Sequence, residues 1–288
     1  MFAGRFQPSR SHLEQVLTFS DPLTHRSLAR QAGFHPHVRS QGYLGIVLFC
    51  LGYPDQALAR SNAAVAEARR LAFPPSLAQS LSLGVVRAWL AKDKAVLGEW
   101  EDELISVTAE QGFPFWRVQG AIYRGWVKVK NGDLAEGISL VRSGAAAYRA
   151  TGALAWAPYH IALLASACES TGQIEEAETL LDDALQIAER TGERWSLAEL
   201  NRHKGQLLLW QGHAEAAEEL YRKALSIAEE QEAKLWELRA AASLARLRRD
   251  QGRRAEAREL IAPVYGWFTE GFATQDLKEA KALLDELT

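Results

Sequence analysis

Cysteine is scarce in this chain: Cys50 and Cys168 are the only two in 288 residues. Two cysteines cannot build a disulfide framework, and a reducing compartment fits them. Charge of one sign is lacking as well. Against 36 Asp and Glu stand 33 Lys and Arg, a net charge of −3 with pI near 6.2. That balance removes any global pull toward nucleic acid or anionic lipid. No uninterrupted apolar run reaches the roughly 18 residues of a membrane span. The opening Met-Phe-Ala-Gly-Arg-Phe-Gln-Pro has no apolar signal core. No membrane and a cytoplasmic location are therefore expected. A phosphate-binding G-x-x-x-x-G-K-[ST] loop is also missing.

What the chain does have is a period. Gly172 is followed by Ala177 and Leu180, and the same skeleton returns at Gly212, Ala217 and Leu220, and at Gly252, Ala257 and Leu260. Backwards it recurs at Gly132, Gly137 and Leu140, and at Gly52 with Ala57. The step is 40 residues, and Lys92 stands where the remaining glycine would fall. Six units at one step make a repeat array, which grows by stacking and not by enlarging a single core.

Within a unit the apolar spacing is 3.6 and not 2, as at Ala177, Leu181, Ala184, Ile187 and Ala188. Each unit therefore reads as helix, tight turn, helix. Second turns at Gly112, Gly152 and Gly192 suit the left-handed position just past a helix end. Trp116, Trp156, Trp195 and Trp236 enter the following helices near a common offset. Pro54, Pro74, Pro75 and Pro114 open helices, where a missing N–H costs nothing. Pro263 is expected to kink or shorten the last second helix.

Residues 4–19 read as the second half of a repeat whose first helix is missing, so a fragment of something longer is expected. A connector helix over Asp21–Ala32 and a His35-Pro36-His37 loop follow. The expected organisation is a single helical-repeat domain over 1–288. It has a truncated repeat plus connector at 1–37, six hairpins at 38–273 and a capping helix at 274–288 carrying Leu277, Ala280, Leu284 and Leu287.

Small residues recur where paired helices must approach: Gly45, Gly125, Ala165, Gly205 and Ala245 before the turns, and Ala57, Gly137, Ala177, Ala217 and Ala257 after them. The second unit has Val85, Lys92, Leu97 and Leu104 at these sites, so altered packing is expected there. This arrangement resembles the tetratricopeptide repeat, with units about six residues longer than the usual 34. The implied fold is all-α, a right-handed superhelical solenoid of such hairpins. Whole segments carry a closer resemblance: Leu51-Gly52-Tyr53-Pro54-Asp55-Gln56-Ala57, Glu110-Gln111-Gly112-Phe113-Pro114, and Leu260 through Phe272. They are similar to the C-terminal repeat region of bacterial regulators that join a class III adenylate/guanylate cyclase domain to a P-loop ATPase module. That resemblance implies a regulatory tail with no catalytic residue and no cofactor.

Chemistry is thin elsewhere. His35 and His37 lie on one loop without further ligands, so no metal site is expected. Cys168 sits at a helix-packing offset and reads as a structural thiol. Acidic pairs such as Glu175-Glu176 read as first-turn charges, and no enzyme is expected. The first-helix face is the candidate site, because first helices line the inner wall of such arrays. On it fall Trp126, Tyr159, Arg202, Gln206, Arg239 and Arg246, residue types that dominate interfaces. They are expected to hold an acidic or C-terminal protein segment, or catalytic modules of a parent chain. Acidic residues interleave with Arg248, Arg249, Arg253, Arg254 and Arg258, which argues against nucleic acid. Two alternatives stand beside this reading: a homo-oligomer built through uncapped terminal surfaces, and a small-molecule sensor using Trp89, Trp126 and Tyr159.

Overall fold

The computed structural model describes residues 1–19, 29, 31 and 33–288. Among them are fourteen helices and no strand. The fold is all-α, built of stacked helical hairpins. Helix α1 (Phe6–Thr18) is followed by six hairpins: α2 (Pro36–Cys50) with α3 (Pro54–Leu71), α4 (Pro74–Leu90) with α5 (Lys94–Gln111), α6 (Pro114–Lys130) with α7 (Leu134–Ala150), α8 (Ala157–Glu169) with α9 (Ile174–Thr191), α10 (Leu197–Trp210) with α11 (Ala214–Glu230), and α12 (Lys234–Asp250) with α13 (Arg254–Trp267). Helix α14 (Gln275–Glu286) closes the series. The connector helix expected over Asp21–Ala32 falls largely outside the described residues.

The turns explain the period. Gly52, Gly132, Gly172, Gly212 and Gly252 all have φ between 75° and 95°, the left-handed region that glycine enters without a Cβ clash. Lys92 takes the same conformation at φ 56° without that freedom. The close helix approach is equally direct. A Cβ on Gly45 would overlap the Ser61 hydroxyl, and one on Gly205 would stand 2.8 Å from the Tyr221 ring. The second hairpin solves the same problem one residue earlier. There Gly84, not position 85, makes room, and Trp100 lies against it where a Cβ would overlap the indole. Val85, Leu97 and Leu104 are buried around this altered contact. Pro263 lies inside α13, which runs 14 residues where the other second helices run 17 or 18.

The chain divides into two compact units. One comprises Gln7–Phe49 and Pro54–Ala153, the first three hairpins with most of α1. The other comprises Leu154–Thr288 together with two returning pieces, Met1–Phe6 and Cys50–Tyr53. In this second unit, Gly52 lies so near Lys234, Trp267 and Phe268 that a Cβ would stand 2.7 Å from the Trp267 ring. Its C-terminal end is covered by α14, whose Leu277, Ala280 and Leu283, with Leu287 just beyond, join Ile261, Val264 and Phe268 in one buried cluster. Leu284 is partly buried against the same cluster.

Candidate functional site

Five of the six expected partner residues belong to the unit that contains residues 154–288, and Trp126 belongs to the other. The five lie on α8, α10 and α12, which bring them into register because the hairpins repeat every 40 residues. What the spacing could not reveal is how firmly the arginines are already held.

Arg239 is the centre of a buried ion network. Its guanidinium donates to both Asp276 carboxylate oxygens at 3.1 and 2.8 Å and reaches Glu199 at 3.5 Å. Glu199 in turn accepts two 2.8 Å bonds from Arg202. Arg202 also donates to the Ser243 hydroxyl at 3.4 Å. Burial alone would raise the Glu199 carboxyl, but Arg202 and Arg239 outweigh it and hold the group below the ordinary carboxylate range. For Arg239, burial is outweighed by Asp276 and Glu199, which keep the guanidinium charged. Its face stacks on the Trp236 ring at 5.2 Å.

Tyr159 is 1% exposed and packs on Trp195 at 4.7 Å between ring centroids, so it is a core residue. Gln206 accepts a 3.4 Å bond from the Tyr221 hydroxyl. Arg246 meets Glu279 only at 4.0 Å, and both side chains are about two-fifths exposed (41% and 39%). The same face carries His203 against Glu169 at 2.5 Å. Charge along these helices is thus matched pair by pair. Arg202 and Arg239 are internal struts, and the half-exposed part of the expected set is Gln206 with Arg246.

The arginines after 238 are likewise paired. Arg248 reaches Glu218 at 2.5 Å, Arg249 reaches Asp250 at 2.9 Å and Glu286 at 2.5 Å, and Arg253 binds Glu256. In the other unit Trp126 packs edge-on against Trp89 at 5.3 Å, with the Lys130 ammonium 5.0 Å over its ring. The Trp126 indole N–H is buried without a hydrogen-bond acceptor among the described residues. Cys50 and Cys168 are fully buried, and burial pushes the Cys50 thiol up to about 12, far from a reactive range.

A second constellation escaped the sequence reading. Three of the four repeated tryptophans form a ladder: Trp156 meets Trp195 at 5.0 Å, Trp195 meets Trp236 at 6.1 Å, and the Trp236 indole donates to the Trp195 carbonyl at 2.9 Å. Phe2 extends the ladder by one ring, edge-on to Trp156 at 5.2 Å. At the centre is Glu193, only 4% exposed. Its carboxylate accepts the Trp156 backbone N–H at 3.0 and 3.1 Å and the Trp195 indole N–H at 2.8 Å. Burial pushes this carboxyl up to about 7 despite those bonds. Trp156 itself has φ 70°, a left-handed conformation that a bulky residue adopts only under constraint. The signal in the sequence was the tryptophan offset. Neither the acid between two of them nor the phenylalanine at position 2 carries a period.

Comparison with known proteins agrees with this architecture. The tetratricopeptide repeat family model matches residues 153–230. An uncharacterized protein of Rhizobium meliloti (strain 1021) is 26% identical over 200 residues, which are 69% of this chain and 19% of that protein. The match therefore spans about a fifth of that relative's length. Among solved structures, a Rap protein complexed with Competence and Sporulation Factor superposes with a TM-score of 0.62 at 12% identity, covering 88% of this chain and 74% of that one. Yeast Tom70 superposes with a TM-score of 0.52 at 14% identity, covering 98% and 59%. At these identities the likeness is one of fold. Among the described residues no helix is long and apolar enough to cross a membrane.

Proposed function

We propose that this chain is a non-catalytic protein–protein interaction scaffold, the regulatory repeat region of a larger cyclase/ATPase signalling protein. It takes a protein segment on the first-helix face of α10 and α12. The supporting observation is the contrast along that face. Arg202 and Arg239 are locked by Glu199 and Asp276, whereas Arg246 is half-exposed and meets Glu279 only at 4.0 Å. A carboxylate from a partner can replace Glu279 at Arg246 with little loss, because an exposed pair of this kind contributes only about 0–1 kcal/mol. A partner cannot displace Asp276 from Arg239 without leaving a buried charge unpaired. Gln206, at the equivalent position one repeat earlier on α10, offers an amide on the same face.

An array of acidic peptides with free C-termini, probed with the intact chain and with Arg246→Glu, tests this. Binding that the charge reversal weakens at least tenfold is the expected result. Equal binding by both proteins would overturn the placement. Light scattering against concentration runs alongside: growth of mass with concentration would favour self-association over segment binding. A coding frame in which a cyclase and a P-loop module precede the repeats is the expected gene context.

A further inference from the structure

The residues Met1–Phe6 do more than fill space beside the 154–288 repeats. The Phe2 carbonyl accepts two backbone bonds, from the N–H of Arg194 at 2.7 Å and of Trp195 at 3.1 Å. Met1–Gly4 is a tight turn closed by the Gly4 N–H on the Met1 carbonyl at 2.8 Å, with Gly4 at φ 75°. The Phe2 ring meets the strained Trp156. Gln231 closes the other side: its amide N–H donates to the Arg194 carbonyl at 2.9 Å, and a Cβ on Gly4 would stand 2.5 Å from that nitrogen. The cleft therefore reads a backbone carbonyl, one aromatic side chain and a glycine two residues later.

Its own occupant leaves the cleft incompletely satisfied. Gln231 is 7% exposed, and its carbonyl oxygen has no donor among the described residues. The Ser196 hydroxyl, fully buried one residue beyond Trp195, has no partner among them either. Orphaned buried polar atoms are rare and costly. Here one belongs to the side chain that packs on Gly4 and the other to the residue after Trp195, whose ring meets the left-handed Trp156 held by a buried carboxylate.

We propose that this cleft, built by Trp156, Glu193–Trp195 and Gln231, is a peptide-reading site that the chain's own Phe2-Ala3-Gly4 turn occupies in cis. It takes in trans a turn-forming segment with an aromatic residue two positions before a glycine. A tethered occupant acts at millimolar effective concentration, so an incoming peptide must compete with it. The cleft uses inter-repeat turns and none of Arg202, Gln206 or Arg246, so its failure leaves the first-helix reading standing, and the reverse.

The test uses the full chain carrying Phe2→Ala and Gly4→Val, which empties the cleft without touching its walls. Fluorescence anisotropy follows a labelled Met-Phe-Ala-Gly-Arg-Phe peptide and a control in which its phenylalanine is alanine. The doubly substituted chain is expected to bind the first peptide at least tenfold more tightly than the unaltered chain does, and the control at least tenfold more weakly. Equal binding of both peptides, or none up to millimolar concentration by a folded variant, overturns the proposal. Should that variant not fold, hydrogen exchange on the unaltered chain decides. The Arg194 and Trp195 amides are expected to exchange through local release at least a hundredfold faster than Ala224 in α11. Exchange at the α11 rate would make the segment a fixed part of the core and sink the idea.

Discussion

Gly125 and Gly137 face each other across the α6–α7 hairpin so closely that each occupies the other's side-chain space. A Cβ on Gly125 would stand 2.7 Å from the Gly137 carbonyl oxygen, and a Cβ on Gly137 would stand 2.6 Å from that of Gly125. The obstacle in both cases is backbone, which cannot rotate away as a side chain can. Alanine at either position must push the helices apart and disturb Val129 and Val141, which also pack there.

Gly125→Ala and Gly137→Ala are therefore expected to destabilise the protein by about 1–3 kcal/mol, the range for overpacking a filled interior. Gly98, inside α5, has nothing within 4 Å of the Cβ that an alanine would add, and its φ is not positive. Gly98→Ala is expected to stabilise by about 0.5–1 kcal/mol through helix propensity alone. Urea midpoints of the three variants check both signs, and a destabilised Gly98→Ala would contradict the contact argument.

Lys92 holds a left-handed conformation that glycine holds in the other five hairpins. For a residue with a Cβ that conformation costs roughly 1–2 kcal/mol. Lys92→Gly is expected to recover about 1 kcal/mol, less the extra entropy of a glycine in the unfolded chain. The thermal midpoint reads it directly.

These two cases mark what the sequence could disclose. A missing glycine at 92, small residues at fixed offsets and paired helices are all local or periodic, so the 40-residue step exposes them. The displaced small residue of the second hairpin, Gly84 under Trp100, shows only as a broken rule at Val85 and Leu97. The return of Phe2 to Arg194 and Trp195 spans more than 190 residues and leaves no periodic trace. How firmly each expected anchor is already held is hidden for a related reason. Arg202, Arg239 and Arg246 stand out as arginines, but their acids come from the same helix or from a neighbouring repeat. Asp276 and Glu279 sit on α14, outside the period. Helical spacing ranks which residues share a face, and it does not rank which of them already have partners.

Glu193 sets a pH dependence of unusual sign. Burial raises its folded pKa to about 7, against about 4.5 ordinarily, so the folded state binds the proton more tightly. Stability should then fall as pH rises through that window, and level off above about 7. The gap between those two values corresponds to roughly 3–4 kcal/mol at the about 1.36 kcal/mol that each pKa unit carries. Glu101 is also raised to about 7, burial outweighing Arg124, so the informative quantity is a difference. Denaturation of the intact chain and of Glu193→Gln between pH 4 and 8 is expected to show the steeper loss in the intact chain. Parallel curves would mean that Glu193 is not the group responsible.

Arg239 tests whether the first-helix face is held by its ions. The side chains of Arg239 and Asp276 are 10% and 6% exposed, and Glu199 shares the same guanidinium. Arg239→Leu leaves the Asp276 carboxylate without this cation in a water-poor site and leaves Glu199 to Arg202 alone, and such removals typically cost about 3–5 kcal/mol. Asp276→Leu alone is expected to cost less, since Glu199 still neutralises Arg239. The double replacement, Arg239→Leu with Asp276→Leu, puts two apolar groups where the ion pair stood and leaves Glu199 with Arg202 at 2.8 Å. Replacing a buried pair by packed hydrophobic residues is often neutral, so the double variant is expected to regain most of the loss from Arg239→Leu. The three midpoints form a cycle whose coupling, if the network is real, exceeds about 1 kcal/mol. Acid adds a second reading. The Glu199 carboxyl is held below its ordinary range, so its contribution is present at neutral pH and is lost as pH falls below about 4.5. That acid-side loss should vanish in Arg239→Leu only in part, because Arg202 continues to hold the same carboxylate. If instead the coupling is near zero and the acid limb is unchanged, the arginines of this face are solvated charges, and Arg239 returns to the set open to a partner.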